Sequence, residues 1–274
     1  VQRLDGKASV RDAAIEVRGV PPAVGLRGDF SFSATQVSVE ALSAEVGGGR
    51  FKAAGTIGLQ SGPDLEWSFN EVGLEPVRDL EMILTGRGTL RGGWREPPLL
   101  AGEVTVENLL YDRNLEYRDL IPSFNRAMAP AARIDQEKPP LRFDLRIRAR
   151  DGLYVENNIA GLEARADLRL RGTPNEPSLR GTVEIIDGTV SIRGRSFDIE
   201  HGVLSFRPDL PGEASIDFAA ESIIEAQGIP YRITVRVTGT TDDYRVHLES
   251  EEGLSQTDIA SLIAFGKTVA QLQQ

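Results

Sequence analysis

Residues 181–206 read GTVEIIDGTVSIRGRSFDIEHGVLSF, and their alternation decides the fold. Val183 and Ile185, Val190 and Ile192, Phe197 and Ile199, and Leu204 and Phe206 are apolar pairs with the two-residue period of a β-strand. Asp187-Gly188, Arg193-Gly194 and His201-Gly202 fall between the pairs, where glycine supplies the positive φ of a tight hairpin. The stretch predicts four short strands joined by turns, with all eight apolar side chains on one side of one sheet. Such a sheet either packs its apolar face on a second sheet, as a dry sandwich core, or leaves it as an open trough. Both solutions remain open on the alternation alone.

Working outward, residues 1–70 repeat the pattern. Ile15 with Val17, Phe30 with Phe32, Val37 with Val39 and Phe51 with Ala53 are separated by Gly or Pro-Pro punctuation. Residues 71–82 fit either a turn or a short helix. An internal repeat follows: residues 84–111 align with 168–190, Gly92 and Pro97 matching Gly172 and Pro177 at an offset of 80, and Gly102 matching Gly181 at 79. Strand, Gly, Pro-ended loop, Gly, strand is the grammar of a sheet that grows by adding like units.

Between the copies, Tyr117, Leu120, Ile121, Phe124 and Met128 share one helical face, with Pro122 as a late start or kink. The polar, Pro-rich stretch 129–140 reads as a loop. Residues 141–150, LRFDLRIRAR, alternate strictly and predict a strand, and further strands are expected at Ile216–Phe218, Ile233–Val237 and Val246–Leu248. At the end the period changes. Ser255 is an N-cap with Asp258 three residues on, and Leu254 and Ile259 stand as a hydrophobic staple. With Ile259, Leu262, Ile263, Val269 and Ala270 as the apolar stripe, the expectation is a helix over about 256–272, weakened at Gly266.

Composition narrows function. The 274 residues suffice for one large or two ordinary domains. A formal net charge of −10 argues against a nucleic-acid partner and against docking on anionic headgroups through a basic patch. With no cysteine and only His201 and His247, thiolate and multi-histidine metal sites are excluded. No apolar run is long enough to cross a bilayer as a helix. The chain begins at Val1, not Met, and is expected to be an excerpt of something longer.

Candidates for chemistry are few. Asp242-Asp243 and Glu251-Glu252 are adjacent pairs whose carboxylates would point to opposite faces of a strand, and they read as solvated turns. The two histidines read as surface residues. Gly86-Arg87-Gly88 and Gly92-Gly93 precede strand-like sequence and not a phosphate-binding helix. Trp67 and Trp94 are expected to cover a sheet end or edge. No catalytic residue, cofactor or metal is expected, so the chain reads as a non-enzyme. The apolar positions are mainly Val, Ile, Leu and Ala, a lining that suits acyl chains, which need burial and no hydrogen bonds.

The segment 181–206, followed by LPGEASIDFAAES (210–222), ITVRVTGT (233–240), VHLES (246–250) and GLSQTDIASLIAFGK (253–267), resembles the TamB C-terminal domain, of the AsmA-like bridge proteins of two-membrane bacterial envelopes. Two departures stand out: Ser250 is followed by Glu251 and Glu252 where the family often has Ser-x-Pro, and the chain stops at Gln274 where the family runs on. A terminal segment that engages the outer-membrane partner is therefore expected to be missing. The resemblance implies a mainly β fold: an elongated curled sheet (β-taco, an open U-shaped groove) with a helical insertion near 115–130 and a C-terminal helix. It implies residues 1–112 as an upstream β-repeat segment of the groove, 113–140 as the insertion and 141–274 as the TamB-type domain. It further implies a periplasmic segment of an inner-membrane-anchored protein that moves phospholipid between the membranes, meets phospholipid acyl chains, and supports outer-membrane protein assembly with a TamA-like β-barrel. The alternative is a docking module that pairs nascent outer-membrane strands at its sheet edge. The inward-facing positions it implies begin with Leu168, Leu170, Val183 and Ile185, and continue with Val190, Ile192, Phe197 and Ile199. Leu204, Phe206, Ile216 and Phe218 follow, and Ile233, Val235 and Val237 complete the set.

Overall fold

The computed structural model describes residues 5–16, 21–77, 79–112, 141–209 and 212–273. Fourteen strands among them form one sheet in which spatial order is sequence order. The first seven are β1 (Gly6–Ile15), β2 (Ala23–Phe32), β3 (Gln36–Val46), β4 (Gly49–Gly58), β5 (Gly62–Val77), β6 (Leu80–Arg91) and β7 (Leu99–Tyr111). The second seven are β8 (Arg142–Glu156), β9 (Ala160–Gly172), β10 (Pro177–Ile192), β11 (Arg195–Phe206), β12 (Ala214–Ala226), β13 (Ile229–Thr240) and β14 (Tyr244–Ser250). Neighbours from β1 to β6 and from β10 to β14 pair antiparallel. Every described strand joins this one sheet.

Two-residue loops make this meander. Gly47-Gly48, Arg193-Gly194 and Gln227-Gly228 each join adjacent strands with both residues at positive φ, between 54° and 78°. That backbone matches the right-handed twist of the strands it joins. The turn expected at Arg193-Gly194 is therefore present, but the other two expected in residues 181–206 are not: Asp187-Gly188 and His201-Gly202 lie inside β10 and β11. Four short strands are two long ones. Glycine serves close approach there: a Cβ on Gly188 would stand 2.6 Å from Leu162 Cα, and one on Gly202 2.5 Å from Ile185 Cδ1. His201 marks a register shift in the β11–β12 ladder, an irregularity and not a turn.

Residues 71–82, ambiguous by pattern, are the end of β5 and the start of β6. Glu71, at φ 54°, occupies a bulge between Phe69 and Val72, which hid the alternation. The internal repeat is real at this level: β6–β7 and β9–β10 are both strand, loop, strand, with Gly92 and Gly172 at positive φ. The helix expected over Tyr117–Met128 and the loop after it lie outside the described residues.

The chain divides into two compact units, residues 1–110, 129–152 and 167–180, and residues 111–128, 153–166 and 181–274. In the first, Val39, Ala44, Val72, Val106 and Ala149 are buried. Trp67 and Phe69 point to one face two residues apart and stack at 5.6 Å with 8° between planes. Gly86 and Gly88 of β6 leave room for these rings, since a Cβ at 88 would come within 2.6 Å of Trp67 Cζ2. Trp67 thus lies mid-sheet, not at an edge as expected; Trp94 sits in the β6–β7 connection and donates from Nε1 to the Gly58 carbonyl at 2.8 Å.

The second unit carries the helices α1 (Gln256–Phe265) and α2 (Val269–Leu272). The single helix expected over 256–272 is broken at Gly266, which takes φ 70° and donates its N–H to the Leu262 carbonyl at 2.9 Å, a left-handed C-cap. The start is as expected: Ser255 Oγ accepts the Asp258 N–H at 3.1 Å.

Candidate functional site

The apolar face of β10–β14 is assembled row by row by the antiparallel register. Val183, Leu204, Ile216, Gly239 and Tyr244 stand opposite one another in turn. The next row runs Gly202, Phe218, Val237, Val246, with Ile185 folded over Gly202. Then come Ile199, Ala220, Val235 and Leu248, and after them Ile233 opposite Ser222. Neither of the first two rows contains a charged side chain. Residues one step out of phase face the other way: Glu184, Val203, Asp217, Thr238 and Arg245 lie in register there, with His201 Nε2 3.0 Å from Asp217 Oδ2.

α1 covers one end of this face. Ile259, Leu262 and Ile263 are buried with Phe197, Ala220, Ile224, Ala226, Ile233 and Val235, and Val190, Ile192, Ile199 and Phe218 pack against that cluster. Arg195 Nε donates to the Ile263 carbonyl at 3.0 Å, tying the last turn of α1 to the start of β11. On its other side, Asp258 accepts from the Ser255 hydroxyl at 2.7 Å and from the Val269 N–H at 3.0 Å. The Ser255 hydroxyl, then the Val269 N–H, hold the Asp258 carboxyl below its usual range.

The fifteen positions expected to face inward fall into two environments. Leu168, Phe197, Phe206, Ile233 and Val235 are buried, and the remaining ten are half-buried, none of them exposed. Phe197, Ile233 and Val235 lie in the cluster beneath α1. Val183, Ile185, Leu204, Ile216 and Val237 lie outside that cluster, on the rows away from the helix. Sequence reasoning missed Ile224, Ala226, Tyr231 and Leu248 as members of the face. The alternation in Ser222–Ala226, SIIEA, was the available signal.

The polar candidates take structural positions. Asp242-Asp243 form the β13–β14 turn, where the Asp243 N–H reaches Thr240 Oγ1 at 3.1 Å. Glu251 and Glu252 both engage Arg232, and Glu252 Oε1 accepts its backbone N–H at 3.0 Å. His247 is exposed on the polar side of β14.

The described residues form a long antiparallel meander with an aliphatic face on β10–β14 and a helix seated on one end of that face. The chain belongs to the TamB C-terminal domain family, which matches residues 38–274, and its sheet fits the β-taco fold of that family. Membership makes it a TamB-like component of the translocation and assembly module, a transport and assembly system associated in general with a TamA-like outer-membrane protein and located in the periplasm. No helix among the described residues is long and apolar enough to cross a membrane. No curated protein matches the sequence.

Proposed function

We propose that the apolar face of β10–β14 is a conduit for phospholipid acyl chains passing between the inner and outer membranes, within a TamB-like protein that also supports outer-membrane protein assembly. The observation that carries this reading is the pair of charge-free rows beyond α1, in which Val183, Leu204, Ile216 and Val237 are only half-buried and Val246 is 49% exposed. Passive partition suffices as mechanism. Each methylene sheltered gains about 0.8 kcal/mol, and a mainly aliphatic, uncharged lining holds acyl registers alike, so sliding meets low barriers.

The test is a photo-crosslinking amino acid at Ile216 in cells, with lipid adducts read by mass spectrometry, beside the substitutions Val183→Glu and Ile216→Glu. Lipid adducts at Ile216 and a transport defect in a folded Ile216→Glu protein are expected. Normal transport in both variants would refute the conduit. A second reading has one observation in its favour: β14 ends the sheet order, and among the described residues no strand pairs with its outer edge, where another strand could add. In that case Val246→Pro impairs function more than Ile216→Glu does in the same assay.

A further inference from the structure

The polar side of the first unit departs from its own rule of charge pairing. Elsewhere arginines of the sheet meet carboxylates across strands: Arg91 with Asp64 at 2.7 Å, Arg146 with Asp167 at 2.7 Å, Arg169 with Asp144 at 2.6 Å. On β5 the residues facing this side are Asp64, Glu66, Ser68 and Asn70, so the carboxylates give way to neutral donors partway along the strand. Opposite those neutral residues stand cations. Register places Lys52 and Arg87 on either side of Ser68, and Arg50 beside Asn70. None of the three has an ion-pair partner among the described residues.

These side chains surround a depression of about 550 Å³ that Thr85 and Glu103 also line. Glu103 lines it with Arg148 3.8 Å away, and Glu45 stands opposite Arg50 on β3. The Thr85 hydroxyl oxygen accepts the Glu71 N–H at 3.2 Å, which leaves its own hydrogen to donate. Like charges on adjacent strands repel, and an acid at position 68 would have relieved this at once. In a chain of net charge −10, three cations without an ion-pair partner among the described residues, around a hydroxyl and an amide, form a local exception.

We propose that this depression binds a phosphate group, with Lys52 and Arg87 as the charged contacts, Arg50 at the rim, and Ser68, Asn70 and Thr85 as neutral donors. A tetrahedral anion with several acceptor oxygens matches that set of converging donors. The phosphate belongs either to a lipid headgroup or to a free phosphate, which have the same chemistry here. Along β5 the site's Ser68 and Asn70 alternate with Trp67 and Phe69, and the site stands whether or not acyl chains occupy β10–β14.

The experiment titrates the 274-residue chain with inorganic phosphate, following amide signals of residues 50–52, 68–70 and 85–87 by NMR, and sediments it with vesicles of phosphatidylcholine, with and without phosphatidylglycerol. Saturable shifts at these amides are expected, with affinity falling on the order of tenfold in Arg87→Gln or Lys52→Gln. Lys267→Gln, an exposed cation of the second unit, is the control for bulk charge and should change nothing. Vesicle binding that requires phosphatidylglycerol and is lost in Arg87→Gln assigns the phosphate to a headgroup. Phosphate binding without vesicle binding assigns it to a free anion. If neither probe binds, or if Lys267→Gln weakens binding as much as Arg87→Gln, the site is overturned.

Discussion

Replacing Leu262 with alanine isolates the hold of α1 on the sheet. Leu262 is 0% exposed within the cluster of Phe197, Ile224, Ile233 and Val235. Removing three carbons forfeits about 2.4 kcal/mol of transfer free energy at roughly 0.8 kcal/mol each. The unfilled space adds to that, for a total of about 3–4 kcal/mol, within the usual span for a buried leucine. Amide hydrogen exchange is the direct assay, because it reports the opening of α1 and β13 separately from the rest of the sheet. At about 1.4 kcal/mol per tenfold, exchange across residues 256–265 and 229–240 should accelerate by on the order of a hundredfold or more. Phe265→Ala provides the contrast. Phenylalanine is the larger side chain, but Phe265 is 69% exposed, and its loss should cost within about 0.5 kcal/mol. If Leu262→Ala leaves exchange unchanged, or Phe265→Ala matches it, α1 is not seated on this face and the reasoning fails.

Two further outcomes follow from local geometry. A valine at Gly88 would bring its Cβ within 2.6 Å of Trp67 Cζ2 and 2.7 Å of Gly102 Cα, so a urea melt followed by tryptophan fluorescence should lose about 1–3 kcal/mol; Gly161→Val, which meets nothing within 4 Å, is the comparison that must stay near wild type. Hydrogen bonds from Arg169, then Arg171, keep the Asp144 carboxyl below its ordinary range. A depressed folded pKa contributes stability above the unfolded value of about 3.9, and that stability is lost as pH falls through the folded pKa. The urea midpoint should therefore drop on acidification below about pH 4, less steeply in Arg169→Gln/Arg171→Gln, and an unchanged slope in that double variant would count against the assignment.

Strand periodicity is local, and it was legible in β8 and in the apolar pairs of residues 181–206. Glycine was where reading failed. Gly194 and Gly202 look alike in sequence because each needs a missing Cβ, but Gly194 turns the chain at φ 78° whereas Gly202 makes room for Ile185. Only the neighbouring strand distinguishes the two, and its register is a long-range fact. The bulge at Glu71 failed for a related reason, since one extra residue reverses the apparent face of everything after it. The stripe of Ile259, Leu262 and Ile263 announced that α1 must bury one side, but nothing local named Phe197, Ile224 and Ile233 as its seat. The cluster of cations at 50, 52 and 87 was invisible for the same cause, because their meeting around Ser68 exists only across β4, β5 and β6.

The seating of α1 also decides which substitutions can speak about function. Ile192 and Ile199 pack against the cluster beneath the helix, so a charge placed there removes core packing as well as any lining role. A transport defect at Ile199 would therefore follow equally from a lost conduit and from a displaced helix. Ile216 lies on a row outside that cluster, between Leu204 and Gly239, and is only half-buried. A glutamate there can turn toward water while still interrupting a continuous aliphatic surface. The comparison of the two positions is thus more informative than either alone: a lining role requires Ile216→Glu to block lipid passage while α1 keeps the exchange protection that Leu262→Ala removes.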